Sequence, residues 1–171
     1  MSRFLSPRFS SLEAYVPGEQ PQDRKYIKLN TNESPYPPSP RVIEAINSRE
    51  VSDLRLYSDP DTRELTRAIA ESLGTRTECV YTANGSDDIL NFSFMAFCGP
   101  EKGAAFPDIS YGFYEVYGRL YGLDCLKVPL RDDFSIDPEA YYGLGRTVVI
   151  ANPNAPTGLC LSREQVRGIV E

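Results

Sequence analysis

Thr147-Val148-Val149-Ile150-Ala151-Asn152-Pro153-Asn154-Ala155-Pro156-Thr157-Gly158 is the stretch on which the reading of this sequence turns. Four β-prone residues run straight into a loop of two prolines, two asparagines and a glycine. A short apolar run bounded by turn residues reads as a buried strand whose C-terminal end opens onto a rigid, polar turn. In open α/β sheets ligands bind beyond the carboxyl ends of the strands, so chemistry is expected at this loop.

Working back from it, the chain alternates regularly. Cys79-Val80-Tyr81-Thr82-Ala83 reads as a strand, Asn84 to Asp88 as a turn, and Ile89 to Cys98 as a helix ended by Gly99-Pro100. Gly103 to Phe106 is a further strand, Tyr111 to Tyr121 a helix stopped by Gly122, and Leu123 to Leu130 a strand. Ile136 to Tyr142 is a short helix begun near Asp137-Pro138. On the far side of the loop, Ser162-Arg163-Glu164-Gln165 caps a last helix. The β-α order predicts an α/β fold with a largely parallel sheet and helices on both faces. The chain reaches Glu171 with that helix barely begun, and the sheet so read has a bare edge. The sequence therefore reads as the front part of a longer protein.

Upstream the order is looser. Residues 1–27 read as an irregular arm with one helical turn near residues 10–15. Tyr26 to Asn30 reads as a short strand, and the four prolines of Thr31 to Pro40 keep that segment extended. Pro40 can open a helix with Val42, Ile43 and Ile46 on one face. Asp61-Thr62-Arg63-Glu64 has the spacing of a capping box, and the helix after it is expected to turn Leu65, Ile69 and Leu73 inward before stopping at Gly74. The domain reading is an arm and interface segment over 1–40 and a partial large α/β domain over 41–171.

Composition narrows the function classes. At 171 residues, 41% hydrophobic and 25% charged, the chain is long enough for one domain with a core. A net charge of -6 argues against nucleic acid. No apolar run approaches the ~20 residues of a membrane span, and the N-terminus lacks a signal-peptide core, so the expected setting is cytoplasmic. There is no histidine, which removes Ser-His and Cys-His nucleophile pairs and the common zinc sets except an all-cysteine one. Cys79, Cys98, Cys125 and Cys160 are scattered and read as buried free thiols, with no metal site.

Three further stretches carry chemistry. In Asn84-Gly85-Ser86-Asp87-Asp88 a glycine after a strand turns the backbone into a helix, so the N–H groups of Gly85, Ser86 and Asp87 converge as an anion cup. An ordinary helix cap reads the same way. No G-x-x-x-x-G-K-[ST] or G-x-G-x-x-G motif is present. In Pro107-Asp108-Ile109-Ser110-Tyr111-Gly112-Phe113-Tyr114 the Tyr111 ring is placed to lie against a planar ligand, or with Phe113 and Tyr114 to fill the core. Tyr57, in Leu56-Tyr57-Ser58-Asp59-Pro60, either donates its hydroxyl to an anion or fills a turn.

In this order and spacing, with Leu29-Asn30-Thr31-Asn32-Glu33-Ser34-Pro35-Tyr36-Pro37-Pro38-Ser39-Pro40 ahead, these stretches resemble the histidinol-phosphate aminotransferases, fold-type-I pyridoxal-phosphate enzymes. The resemblance runs over nearly the whole chain. It implies the front portion of an aspartate-aminotransferase-like large domain, with pyridoxal 5'-phosphate as cofactor. It assigns Gly85, Ser86 and Asp87 to the cofactor phosphate, Tyr111 to the pyridine face, and Tyr57 to the phosphate across a homodimer. Tyr15 and Asn32 fall to substrate. The Asn-Pro-x-x-Pro-Thr-Gly loop is expected to offer an amide to the cofactor's 3-oxygen. Ala155 stands where that asparagine is usual, so Asn154 is assigned, with Asn152 as the other choice. The Schiff-base lysine is expected beyond Glu171, since Lys25, Lys28, Lys102 and Lys127 all precede the loop.

The implied reaction is transamination between L-histidinol phosphate and 2-oxoglutarate, with this chain inactive alone. Other readings are an aromatic aminotransferase or amino-acid-phosphate decarboxylase of the same fold, a non-catalytic dimerisation fragment, and a phosphate- or nucleotide-binding domain resting on the Gly85 cup.

Overall fold

The computed structural model describes residues 6, 9, 19, 21, 23–24, 26–31, 33–46 and 54–171. The chain divides into two compact units, one of Glu13–Thr82 and one of Met1–Leu12 with Ala83–Glu171. Tyr15, Asn32 and the helical turn expected near residues 10–15 lie outside the described residues.

The unit from Ala83 is built on a three-stranded parallel sheet of order β2-β1-β3. The strands are β1 (Ala104–Pro107), β2 (Cys125–Val128) and β3 (Thr147–Val148). All four residues of β1 are buried, as befits a central parallel strand covered on both faces. Ala104 and Phe106 join Phe94, Cys98, Tyr114 and Tyr117 on one side, with Val149 packed against them. Val128, Ile136, Tyr141 and Leu161 form a second cluster, which takes in Val148 and Ile150. The alternation of 148, 149 and 150 between clusters is the period of two of a strand, and it sets the two faces of the sheet.

The first face is covered by helices α3 (Gly85–Phe97) and α4 (Phe113–Tyr121). Phe94 lies 6.1 Å from the ring of Tyr114 and 5.3 Å from that of Tyr117. The second face is covered by the 3-10 turn Pro138–Tyr141 and helix α5 (Arg163–Val170). The cap on α5 forms as its spacing predicts: the Ser162 hydroxyl accepts from the Gln165 N–H, and the Gln165 side chain accepts from the Ser162 N–H. Gly122 ends α4 in the left-handed conformation, also as expected.

The unit ending at Thr82 holds α1 (Pro40–Ile46) and α2 (Arg63–Leu73). Pro40 opens α1, and Gly74 closes α2 with φ 63°.

Several expectations are corrected. Residues 26–30 are extended but pair with no strand among the described residues, because β-prone sequence supplies no partner by itself. The strand expected at 79–83 begins instead as the 3-10 turn Thr77–Cys79, where Val80 N–H bonds to Thr77 O at 3.0 Å. The turn at 84–88 is the first turn of α3. The helix expected at 136–142 is a 3-10 turn capped by Asp137. Leu65 and Leu73 face outward and only Ala70 of α2 is buried. Asp61 does not cap α2. Thr62 has a left-handed backbone (φ 44°), and the Asp59 carboxylate takes the N–H groups of Asp61 and Arg63, both at 3.1 Å. Of the thiols, all free, Cys98 is buried and Cys125 half-buried, while Cys79 and Cys160 are exposed. No described helix is long and apolar enough to cross a membrane.

Candidate functional site

Three segments meet beyond the carboxyl edge of the sheet: the first turn of α3, the loop after β1, and the loop after β3. Gly85 sets the first. Its φ of 83° is one that side chains rarely adopt, and a Cβ there would meet nothing within 4 Å. Asn84 gives no side-chain cap. The leading N–H groups of Ser86 and Asp87 therefore sit at the positive end of α3 without a side-chain cap from Asn84, the donor set an anion needs. The Gly85 N–H does not join them, because it bonds to Ala83 O at 2.9 Å in the tight turn. The cup is thus narrower than the sequence suggests.

The loop after β1 is held by Asp108. Its N–H continues the ladder to Val128 O at 2.9 Å, and its Oδ1 accepts from the N–H groups of Ile109 and Leu130. Three residues on, half-buried Tyr111 donates its hydroxyl to Asp87 Oδ1 at 2.7 Å. Its ring stacks on Phe113 at 5.6 Å and meets Tyr114 edge-on at 5.8 Å. Tyr111 is thus both a member of the aromatic cluster and a neighbour of the cup. Tyr117 secures α3 from behind, donating to Asp87 O at 3.0 Å. Burial, then the nearby Asp87 and Asp88 charges, push its hydroxyl up to about 12.

The loop after β3 contains cis bonds at Asn152-Pro153 and Ala155-Pro156. Asn152 grips Leu161 through both amide atoms, at 2.8 and 3.2 Å. Asn154, assigned in sequence to the cofactor's 3-oxygen, is 1% exposed. Its Nδ2 donates to Ile109 O at 3.0 Å and Thr157 Oγ1 at 3.3 Å, and its Oδ1 accepts from Ser110 Oγ at 3.0 Å. Both amide hydrogens are used, which leaves none for an oxygen outside.

The structure thus brings Gly85, Ser86, Asp87, Tyr111 and Asn154 into one region, with Asn154 behind its loop. Tyr57 is exposed in the other unit. Sequence reasoning missed Ser110 and Thr157 as partners of Asn154. A small hydroxyl beside an aromatic was the available signal, but a partner 44 residues away leaves no local trace. Among the described residues no cluster of Cys, Asp or Glu is arranged to hold a metal ion.

Over residues 24–171 the sequence matches the family described as aminotransferase class I and II. The chain belongs to that family. As a class I and II aminotransferase chain it is 50% identical over 170 residues to histidinol-phosphate aminotransferase of Brachyspira hyodysenteriae, covering 99% of this chain and 48% of that protein. It is 49% identical to the Clostridium acetobutylicum protein of the same name, over 100% of this chain and 49% of the relative. The chain spans about half the length of these relatives. Among solved structures, histidinol-phosphate aminotransferase of Sinorhizobium meliloti in complex with pyridoxal-5'-phosphate superposes with a TM-score of 0.81 at 24% identity, over 99% of this chain and 48% of that one. That likeness establishes the aminotransferase fold, an α/β fold whose parallel sheet is flanked by helices.

Proposed function

We propose that this aminotransferase chain carries the cofactor-holding part of a histidinol-phosphate aminotransferase, exchanging an amino group between L-histidinol phosphate and 2-oxoglutarate. The observation that carries the reading is identity of about one half with proteins of that name along the whole of this chain.

The residues present suit pyridoxal 5'-phosphate by their donor chemistry. Ser86 and Asp87 offer first-turn N–H groups, Ser86 a hydroxyl, and the helix dipole favours the anion. Gly85 leaves room for a phosphate to approach the backbone. Tyr111, tethered through Asp87, offers an aromatic wall beside that cup. When bound there, the cofactor supplies the electron sink for amino transfer. The loop after β3 borders the same region, with Asn154 bracing it from within. Tyr57 is assigned to the phosphate held by a second copy, in a cytoplasmic homodimer, and Tyr15 and Asn32 to substrate. None of the four lysines follows the Pro-Thr-Gly loop, and the chain by itself is assigned no turnover.

The test has two arms. The protein carrying this chain is assayed for glutamate formed from 2-oxoglutarate with L-histidinol phosphate, against aromatic and other amino donors. Preference for another donor overturns the substrate assignment. The 171-residue chain is then treated with pyridoxal 5'-phosphate and borohydride and its peptides weighed. The expected result is no stoichiometric lysine label, and clean labelling of Lys25, Lys28, Lys102 or Lys127 overturns the inactive-alone assignment.

A further inference from the structure

We propose that Asn154 is a positioning residue: a buried clamp that makes the loop after β3 and the loop after β1 move as one body, and so fixes where Tyr111 stands over the cup. The clamp itself is a matter of geometry, and its purpose rests on the cofactor reading above.

Asn154 is the one buried polar or charged side chain among the described residues, at 1% exposure. Its backbone closes its own loop, with its N–H to Leu159 O at 2.8 Å and its carbonyl accepting from Gly158 N–H at 2.7 Å. Its side chain reaches out of that loop. Three hydrogen bonds, to Ile109 O, Ser110 Oγ and Thr157 Oγ1, leave the amide plane no freedom. An apolar residue would fill the same volume and dry the site equally well. It could not fix orientation, since packing is non-directional and a hydrogen-bond network is not.

Ser110 adjoins Tyr111 in the chain, and the Tyr111 hydroxyl is held by Asp87 in the first turn of α3. A hydrogen-bonded path therefore runs from the Pro-Thr-Gly loop through Asn154 and Ser110 to Tyr111 and Asp87. All three segments of the cradle lie on it. Among the described residues, Asn154 supplies side-chain hydrogen bonds from the loop after β3 to both Ile109 and Ser110 of the loop after β1.

The test uses the full chain and two variants. Asn154→Asp keeps the shape and the acceptor for Ser110 but turns an oxygen toward the Ile109 carbonyl. Ser110→Ala removes one bond from a half-buried position and is the arm that keeps its fold if the first variant does not. Amide hydrogen exchange is followed at Gly158 in one loop and Ile109 in the other, with Leu123 and Cys98 as controls outside the clamp. Affinity for pyridoxal 5'-phosphate itself is measured in parallel. The expected result is exchange about tenfold faster at Gly158 and Ile109 together, with Leu123 and Cys98 unchanged, and cofactor affinity lowered about tenfold in Asn154→Asp. Equal acceleration at all four sites would show a core residue with no positioning role. No acceleration, or acceleration of one loop alone, would also overturn the proposal. If the unmodified chain takes up no pyridoxal 5'-phosphate, the cofactor reading falls, and exchange alone decides the clamp.

Discussion

Gly85 shows how one residue can decide a site. Its φ of 83° lies where a Cβ strains the backbone, yet nothing stands within 4 Å of where that Cβ would be. Cost and space are therefore separable. Gly85→Ala is expected to lose about 1–2 kcal/mol in urea unfolding from the backbone alone, and Gly85→Asn less, because asparagine tolerates the left-handed region. Equal losses for both would place the cost in crowding instead. At this scale the glycine was legible, because a glycine and an acidic first turn are local facts, even though the strand expected ahead of them does not form. The role of Asn154 was not. The sequence left the loop's amide between Asn154 and Asn152, and the direction of the Asn154 amide depends on Ile109 and Ser110, which adjoin it only in the folded chain.

At the scale of elements, the two caps read from sequence make a controlled comparison. Both Ser162 and Asp61 precede a Glu or Gln by three residues, yet only Ser162 caps. Thr62 bends the backbone into the left-handed region and its hydroxyl turns to those of Thr66 and Thr82, so the cap moves back to Asp59. The side-chain hydrogen bond from Arg63, with backbone N–H groups of Arg63 and Asp61, holds the Asp59 carboxyl down at about 2 from the ordinary 3.8. A depressed carboxylate contributes stability that is present above its unfolded value and lost as pH falls through the folded one. Helical shifts of α2 are thus expected to persist to pH 4 and fade toward pH 2. Asp59→Asn removes that acid-dependent step. A carboxyl carbon of Asp59 titrating at its ordinary value would refute the reassigned cap. The same contrast explains the strands. Residues 79–83 (Cys-Val-Tyr-Thr-Ala) are the more β-prone by composition, yet among the described residues it is 104–107 (Ala-Ala-Phe-Pro) that finds neighbours. Strand pairing is a property of the pair.

For the whole molecule, the alternating order of apolar runs was enough to read a parallel sheet with helices on both faces, since each element's periodicity names the face it buries. What it could not supply was which helix faces close. Leu65 and Leu73 are as apolar as Phe94, yet they stay exposed while Phe94 is 1% exposed between two tyrosine rings. Phe94→Ala is expected to cost about 3–5 kcal/mol. Phe97→Ala, three residues on at an exposed position, is expected to cost about 0.5 kcal/mol or less. Urea unfolding of the two variants distinguishes them, and similar losses would mean that the aromatic cluster is not the core.

The strand order β2-β1-β3 has a consequence for how this chain is made. The middle strand is synthesised first. It emerges with both hydrogen-bonding edges bare, gains one neighbour only when Cys125 has been added and the other only with Thr147. Until then an apolar strand is open first on two sides and then on one, and loop-closure entropy opposes each pairing. Once β1 has left the ribosome and until β2 and β3 have followed, its bare edges are a template for pairing with other chains, the exposure that a chaperone shields.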